Sequence, residues 1–123
     1  MSPVAANEFS RIALLSSLPG ERLADLASRM QRETVQPGKT VVIEGEPGER
    51  FYVVLEGMLE VSQAGRGQRT LLRPGDYFGE VALAMDIPRT ASVRAVTPAT
   101  VASCDKATFD EFVRPLFADD GAL

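Results

Sequence analysis

The chain has 123 residues, of which 45% are hydrophobic and 24% are charged, a composition typical of one folded globular domain rather than of a disordered chain. The net charge of −4 provides no broad positive field, so we expect no direct binding of nucleic acid. The sequence has no histidine and a single cysteine, Cys104, which excludes His-based catalytic dyads, the usual zinc and iron sites and an intrachain disulfide.

The sequence also carries no recognisable targeting or membrane signal. Residues 1–8 lack the basic region and the apolar core of a signal peptide, and no apolar run is long enough to span a bilayer. A single cysteine fits a reducing compartment. We therefore expect a cytoplasmic protein, or a domain on the cytoplasmic face of a membrane protein, with no membrane insertion by this segment.

The first predicted element is helical and covers residues 8–31. Pro19 fits the first turn of its main helix, where the missing N–H of proline is not needed. One face of this helix is apolar at the i, i+3, i+4, i+7 spacing, and it consists of Leu23, Leu26, Ala27 and Met30.

Residues 33–104 change to the pattern of a β-roll. Short apolar runs alternate with turns rich in glycine and proline, which indicates many short strands in a β-sandwich or small barrel. The predicted fold is mostly β with flanking helices, a β-roll or jelly roll (double-stranded β-helix). The predicted strand runs are Thr40–Ile43, Phe51–Leu55, Met58–Val61, Thr70–Leu72 and Ser92–Val101.

Two further helices are predicted after the first strands. A short helix from Glu80 to Met85 interrupts the roll and is stopped by Pro88. A C-terminal helix covers residues 105–117, with Asp105 as its N-cap, and we expect Pro115 to end or kink it. The whole chain, 1–123, is therefore predicted to be a single domain.

The inserted helix is surrounded by residues suited to a ligand with a phosphate and a sugar hydroxyl. Arg89 offers a planar fork of donors to phosphate oxygens, and the start of the helix offers unpaired backbone N–H groups. Glu80 is an acceptor that would repel phosphate, so we expect it to face a ribose hydroxyl. Gly79 removes a side chain where the backbone approaches the ligand. The simpler alternatives are a surface arginine and a first-turn acid that only favours the helix dipole.

The same residues resemble the cyclic-nucleotide-binding domain family over nearly the whole chain. Phe78-Gly79-Glu80-Val81-Ala82-Leu83 followed by Pro88-Arg89-Thr90-Ala91-Ser92-Val93 resembles the phosphate-binding cassette of that family, here residues 75–93. The spacing from Glu80 to Arg89 is one that the family uses. The segment from Gly45 to Gly57 resembles the turn and strand that precede the cassette.

The resemblance implies a role for each predicted site residue. Arg89 holds the cyclic phosphate and Glu80 holds the ribose 2′-hydroxyl. The hydroxyl of Thr90 permits recognition of guanine, so both cAMP and cGMP are open as the ligand. The backbone N–H of Ala82 or Leu83 and that of Thr90 or Ala91 complete the phosphate cradle, and Val61 and Leu72 contact the base. The full predicted set is Gly79, Glu80, Val81, Ala82, Leu83, Arg89, Thr90, Ala91, Val61 and Leu72, with no metal ligand and no catalytic residue.

The resemblance therefore implies a non-catalytic regulatory module that binds cAMP or cGMP and signals through its C-terminal helix. No cofactor is expected besides this regulatory ligand. Family members usually continue into a further helix, so we expect a piece of a larger protein with an effector domain, or a lid that is missing or supplied by a partner. A homodimer is compatible with the sequence. The alternative is a docking module of the same fold that has lost the ligand, and an enzyme of the metal-dependent jelly-roll type is set aside because histidine is absent.

Overall fold

The structure of the protein, a computed structural model, describes Phe9 and residues 12–67 and 69–119. The predicted domain limits, 1–123, extend beyond the described residues, and so do residues 8, 10 and 11 of the predicted helical region. Among the described residues, no helix has both the length and the apolar character needed to cross a bilayer.

The N-terminal helical region consists of a short 3₁₀ turn, Leu15–Ser17, and helix α1, Gly20–Arg29. Pro19 lies just before α1, as its N-cap, and not in its first turn as predicted. The backbone of Pro19 is extended, and its carbonyl accepts the first helical hydrogen bond, from Leu23 N at 2.9 Å. The predicted apolar face is confirmed, because Leu26, Ala27 and Met30 are buried and Leu23 packs against them.

Among the described residues, eight strands form two antiparallel four-stranded sheets, which confirms the predicted mostly β, jelly-roll fold. The first sheet has the order β1-β8-β3-β6 and the second has the order β2-β7-β4-β5. The strands are β1 Gln31–Val35, β2 Thr40–Val42, β3 Arg50–Glu56, β4 Leu59–Ser62, β5 Thr70–Leu72, β6 Tyr77–Phe78, β7 Ser92–Ala95 and β8 Ala99–Asp105.

The strand prediction differs from the structure in three places. The sequence runs did not include β1 or β6, and the predicted run Ser92–Val101 is two strands that belong to different sheets. Residues 96–98 carry the chain from the second sheet to the first. They are held by Met58, whose carbonyl accepts from Val96 N at 2.9 Å and whose N–H donates to Thr97 Oγ1 at 3.0 Å.

Strand β3 shows how the layers are arranged. Phe51 and Val53 belong to the apolar cluster that contains the helices, whereas Tyr52 and Val54 belong to the cluster between the two sheets. Alternate residues of a strand point to opposite faces, so the first sheet is the middle of three layers. Both of its faces are buried, which is why β3 has no polar residue between Arg50 and Glu56.

The inserted helix, α2, spans Glu80–Met85 as predicted. It is bounded on both sides by left-handed backbone, at Gly79 with φ 94° and at Asp86 with φ 53°. Glycine takes this conformation without the steric cost that a side chain brings. These two reversals place α2 against β3 and separate it from the strands on either side.

The C-terminal helix, Lys106–Asp119, begins at the predicted cap, since Asp105 Oδ1 accepts a hydrogen bond from Thr108 N at 2.9 Å. It consists of α3 Lys106–Thr108, a π-helical segment Phe109–Val113 and α4 Arg114–Asp119. Of the predicted end or kink at Pro115, near Arg114, the end is wrong, because the helix continues past this residue, with a change from π to α geometry at Arg114.

Two features explain how the helix accommodates Pro115. Proline has no N–H to offer the carbonyl of Glu111, four residues before it, and that carbonyl accepts a hydrogen bond from Arg22 Nη2 at 3.2 Å instead. The wider π turn precedes it, with Arg114 N bonded to Phe109 O. The predicted limits 105–117 therefore become 106–119, with Asp105 as the cap.

Candidate functional site

A cavity of about 200 Å³ lies between α2 and the second sheet. Nine of the ten residues predicted from the sequence line it, and only Leu83 does not. Sequence reasoning missed further lining residues on β2, β6 and β7. Val42 and Val93 lie on predicted strand runs and could have been included, whereas Tyr77 and Phe78 lie on β6, a two-residue strand with no local signal.

Leu83 faces away from the cavity. Its side chain is 1% exposed and belongs to the apolar cluster under the C-terminal helix. Its backbone N–H points back to Gly79 O, at 3.5 Å, within the helix. Of the two N–H groups predicted as alternatives, that of Ala82 is therefore the better placed, because Ala82 itself lines the cavity.

Arg89 is a buried guanidinium, with 7% of its surface exposed. Its Nη2 donates to Arg50 O at 2.8 Å and its Nη1 to Gly79 O at 3.3 Å. None of the ion pairs among the described residues includes Arg89. Burial lowers the pKa of Arg89, partly offset by Tyr52 and Glu80, but an arginine stays charged in proteins. The cavity therefore contains a positive charge that has no carboxylate bonded to it.

The backbone of Arg89 is fixed by the turn that precedes β3. Its N–H donates to Glu46 O at 2.8 Å, and its carbonyl accepts from Gly45 N at 2.8 Å. Gly48 lies against the same residue, because a Cβ there would overlap the Cβ of Ala82 and reach within 3.3 Å of Arg89 Cζ. The sequence suggested only a turn role for this region. In the structure, the turn holds the arginine and α2 in contact.

Glu80 presents a buried oxygen, Oε2, that has no hydrogen-bond partner among the described residues. Burial raises the pKa of Glu80, and the nearby Arg89 only partly opposes this effect. An orphaned buried acceptor is costly in a folded protein and is commonly a sign of function. In this cavity, it is suited to a donor such as a hydroxyl group.

Gly79 lies between these two charged residues. A Cβ at this position would lie 2.7 Å from Arg89 Nη1 and 2.8 Å from Arg50 O. The positive φ and this lack of space both require glycine. Glycine is therefore needed at this position so that the Arg89 side chain fits. The sequence predicted a different reason, close approach of the ligand to the backbone.

The remaining walls of the cavity are apolar on one side and polar at the rim. Val61 and Leu72 are half-buried on β4 and β5, which face α2 across the cavity. Thr90 is exposed, and its carbonyl accepts from Gln63 Nε2 at 2.8 Å. The predicted base contacts and the predicted base-reading hydroxyl thus line the same cavity as the two charged groups.

An aromatic contact joins the cavity to the C-terminal helix. Tyr77 lines the cavity, and its ring meets that of Phe117 edge to face, with 5.8 Å between centroids. Phe117 in turn lies 6.5 Å from Phe109, at the start of the π-helical segment. The cavity wall and the C-terminal helix are therefore in direct contact.

The described residues offer little for chemistry of another kind. They contain no group of three or more His, Cys, Asp or Glu that could hold a metal ion. Burial raises the pKa of Cys104 to about 12, so its thiol stays protonated and is a poor nucleophile.

Comparison with known proteins agrees with this geometry. The family model for the cyclic nucleotide-binding domain matches residues 32–115. A cAMP-dependent protein kinase regulatory subunit of Debaryomyces hansenii is 41% identical over 104 residues, which are 85% of this chain and 23% of that protein. The chain thus spans about a quarter of the length of this curated relative.

Two solved structures have the same fold over almost all of this chain. The regulatory domain of Toxoplasma gondii PKA, solved with cAMP, is 27% identical with a TM-score of 0.84, covering 95% of this chain and 48% of that one. The regulatory subunit of a cAMP-independent protein kinase A from Trypanosoma brucei is 25% identical with a TM-score of 0.86, covering 94% and 42%. By fold, by site geometry and by sequence, the chain belongs to the cyclic nucleotide-binding domain family.

Proposed function

We propose that this domain is a non-catalytic sensor that binds cAMP or cGMP in the cavity beside α2 and passes the binding event to its C-terminal helix. One observation carries the proposal: Arg89, which forms no ion pair among the described residues, brings its charge to the same cavity in which Glu80 leaves an acceptor unpaired. A cyclic nucleotide has an anionic phosphate and a ribose hydroxyl on one rigid ring system. It can therefore satisfy both groups at once.

The cyclic phosphate is assigned to Arg89. The guanidinium is nearly excluded from water, and an anion in such a surrounding interacts more strongly with it than at the surface. The backbone N–H groups of Ala82 and of Thr90 or Ala91 border the same space and are the further donors we assign. Gly79 and Val81 complete this side of the cavity.

With the phosphate at Arg89, we assign the contacts of the ribose and the base as follows. The 2′-hydroxyl donates to Glu80 Oε2, which gives the orphaned oxygen its partner. The base packs on Val61 and Leu72, an apolar surface that accepts adenine and guanine alike. Thr90 adds a hydroxyl at the rim that can bond to guanine, so the proposal includes both nucleotides.

The output is assigned to the C-terminal helix, because it contacts the cavity wall through Tyr77 and Phe117. A ligand shifts the position of such a helix only if it binds one arrangement more tightly than the other. The named relative is a kinase regulatory subunit, so we extend the proposal to a protein kinase as the effector of the whole protein. The single buried cysteine suits a cytoplasmic setting.

The test is a calorimetric titration of the domain with cAMP, cGMP and guanosine, the last as a nucleoside without phosphate. We expect heat and thermal stabilisation from at least one cyclic nucleotide, because a ligand that binds only the folded state raises its stability. Arg89→Ala should bind at least about tenfold more weakly, since a charge-assisted hydrogen bond contributes about 1.5–3 kcal/mol.

Arg94→Ala is the matched control, because Arg94 is exposed on β7 and pairs with Glu60 outside the cavity. Far-UV circular dichroism checks that each variant is folded. Equal affinity of Arg89→Ala and the parent would contradict the phosphate assignment, and so would guanosine binding as tight as cGMP binding. Absence of any response at millimolar cyclic nucleotide would favour the docking module.

A further inference from the structure

Arg114 connects the C-terminal helix directly to α2. It is the first residue of α4, and its guanidinium reaches across to the end of the cassette helix. Nη2 donates to Leu83 O and Nη1 donates to Ala84 O, both at 3.1 Å. In a third contact, Nε donates to Oδ1 of Asp110, which lies one turn earlier in the same helix, at 2.9 Å.

Neither carbonyl has an N–H partner inside α2. The chain reverses at Asp86, whose N–H bonds to Ala82 O, and Ile87 N also bonds to Ala82 O, at 3.2 Å. A helix of six residues ends in free carbonyls and a negative dipole end. The fork of Arg114 supplies two donors and a positive charge at that end.

We propose that Arg114 is a positioning residue for the nucleotide site. It fastens the C-terminal end of α2, whose first residue is Glu80, to the C-terminal helix. Docking of that helix and binding of the nucleotide then favour each other, because coupling between two binding events is reciprocal. This inference rests on the proposed function, and it adds the residue through which the cassette and the output helix are joined.

The side chain is held in place before any ligand arrives. Asp110 lies between Lys106, at 3.0 Å, and Arg114, at 2.9 Å, each one turn away on the same helix. With its Nε fixed by this carboxylate, the guanidinium loses little freedom when it bonds to the two carbonyls. Movement of the C-terminal helix would withdraw both donors from α2 at once.

Arg29 provides a matched control. It also contacts the C-terminal helix, through Glu111 Oε1 at 2.9 Å and over the ring of Phe112, but it reaches the helix from α1 and does not touch α2. Arg29→Met therefore removes an arginine contact of the same helix on the side away from the cassette. Methionine is a good helix former, so both Met variants keep helix propensity.

The first measurement is hydrogen exchange of the nucleotide-free domain. In Arg114→Met, we expect the amides of Asp86 and Ile87, and those of the C-terminal helix, to exchange roughly fivefold faster than in the parent. Arg29→Met should leave the amides of the cassette unchanged. A uniform rise over the whole chain in Arg114→Met would mean a merely structural role and would overturn the inference.

The second measurement is the affinity for cAMP and cGMP by calorimetry. Arg114→Met should bind roughly fivefold more weakly, at the low end of known couplings, and Arg29→Met should bind as the parent does. Arg114→Lys keeps the charge without the fork and should fall between the two. If the parent binds and Arg114→Met binds equally well, the inference fails and the proposed function stands. If the parent binds neither nucleotide, the proposed function fails, and the positioning role fails with it.

Discussion

Replacing Glu80 with glutamine should make the nucleotide-free domain more stable while weakening its complex with a cyclic nucleotide. In the parent, Oε2 is buried without a hydrogen-bond partner. Burial raises the pKa of Glu80 in spite of its backbone hydrogen bond and the attraction of Arg89, so folding costs the charged form of this side chain more than the neutral form. Glutamine is a neutral side chain of the same shape, so Glu80→Gln removes the buried charge.

The size of both effects follows from the same oxygen. Removing the buried charge stabilises the folded chain, but glutamine still leaves one buried polar atom without a partner and loses the attraction to Arg89, so only part of the gain remains. We expect a net gain of about 1 kcal/mol in the free energy of unfolding, or about 4 °C in Tm for a domain of this size. In the complex, a charge-assisted hydrogen bond to the ribose becomes a neutral one, which should weaken the affinity about tenfold.

The assay is urea and thermal unfolding of the nucleotide-free proteins from pH 7.5 to 4.5, together with a calorimetric titration. Because the folded-state pKa of Glu80 is raised, ionisation favours the unfolded chain, and the parent loses stability as pH rises through that pKa. The advantage of Glu80→Gln should therefore be full at pH 7.5 and shrink as pH falls toward the ordinary value of 4.5.

Glu21→Gln is the control, since Glu21 also lies in the first turn of a helix but is exposed. This variant should change neither stability by more than about 0.5 kcal/mol nor the affinity for nucleotide. The reasoning on Glu80 is refuted if Glu80→Gln is less stable than the parent at pH 7.5. It is also refuted if the difference between them does not depend on pH.

Two further substitutions test the glycine and the base contact. Gly79→Ala should destabilise the domain by about 1–3 kcal/mol and weaken nucleotide binding. Alanine is strained at φ 94°, and its Cβ would have to displace Arg89 Nη1. Urea unfolding and calorimetry check both effects, and a variant with the stability and affinity of the parent would show that the space is not needed. Thr90→Ala should lower the affinity for cGMP more than that for cAMP, by about 0.5–1.5 kcal/mol for one neutral hydrogen bond. Equal losses in parallel titrations would count against a base-reading role for Thr90.

The parts of the fold that were predicted correctly are those with local signals. The limits of α2, Glu80–Met85, follow from Gly79 before it and Pro88 after it, and the cap at Asp105 follows from its own side chain. Helix ends depend on hydrogen bonds within three or four residues, so a short stretch of sequence contains most of the information. The Gly79-Glu80 pair and the arginine nine positions after that glutamate likewise identified most of the cavity lining.

The parts that were not predicted depend on distant partners. Strand β6 has two residues and exists because Tyr52 and Val53 pair with it. The direction in which Leu83 points is set by the apolar cluster below α2, and the role of Arg114 depends on carbonyls about 30 residues earlier in the chain. The local sequence at Pro115 predicts a helix end, whereas the contact from Arg22 and the π turn allow the helix to continue.

The position of β8 has a consequence for how the protein folds. It is the last strand among the described residues, yet it lies in the centre of the first sheet, between β1 and β3, with Gln31 paired to Ser103 and Val53 to Ala102. Strand pairs this distant in sequence form slowly, because a long loop must close first. On the ribosome, β1 and β3 lack the strand that lies between them until Asp105 has emerged, although the cassette is complete by residue 93. A nascent chain that stops before β8 therefore lacks the strand that joins β1 to β3, and the first sheet cannot form in its native order.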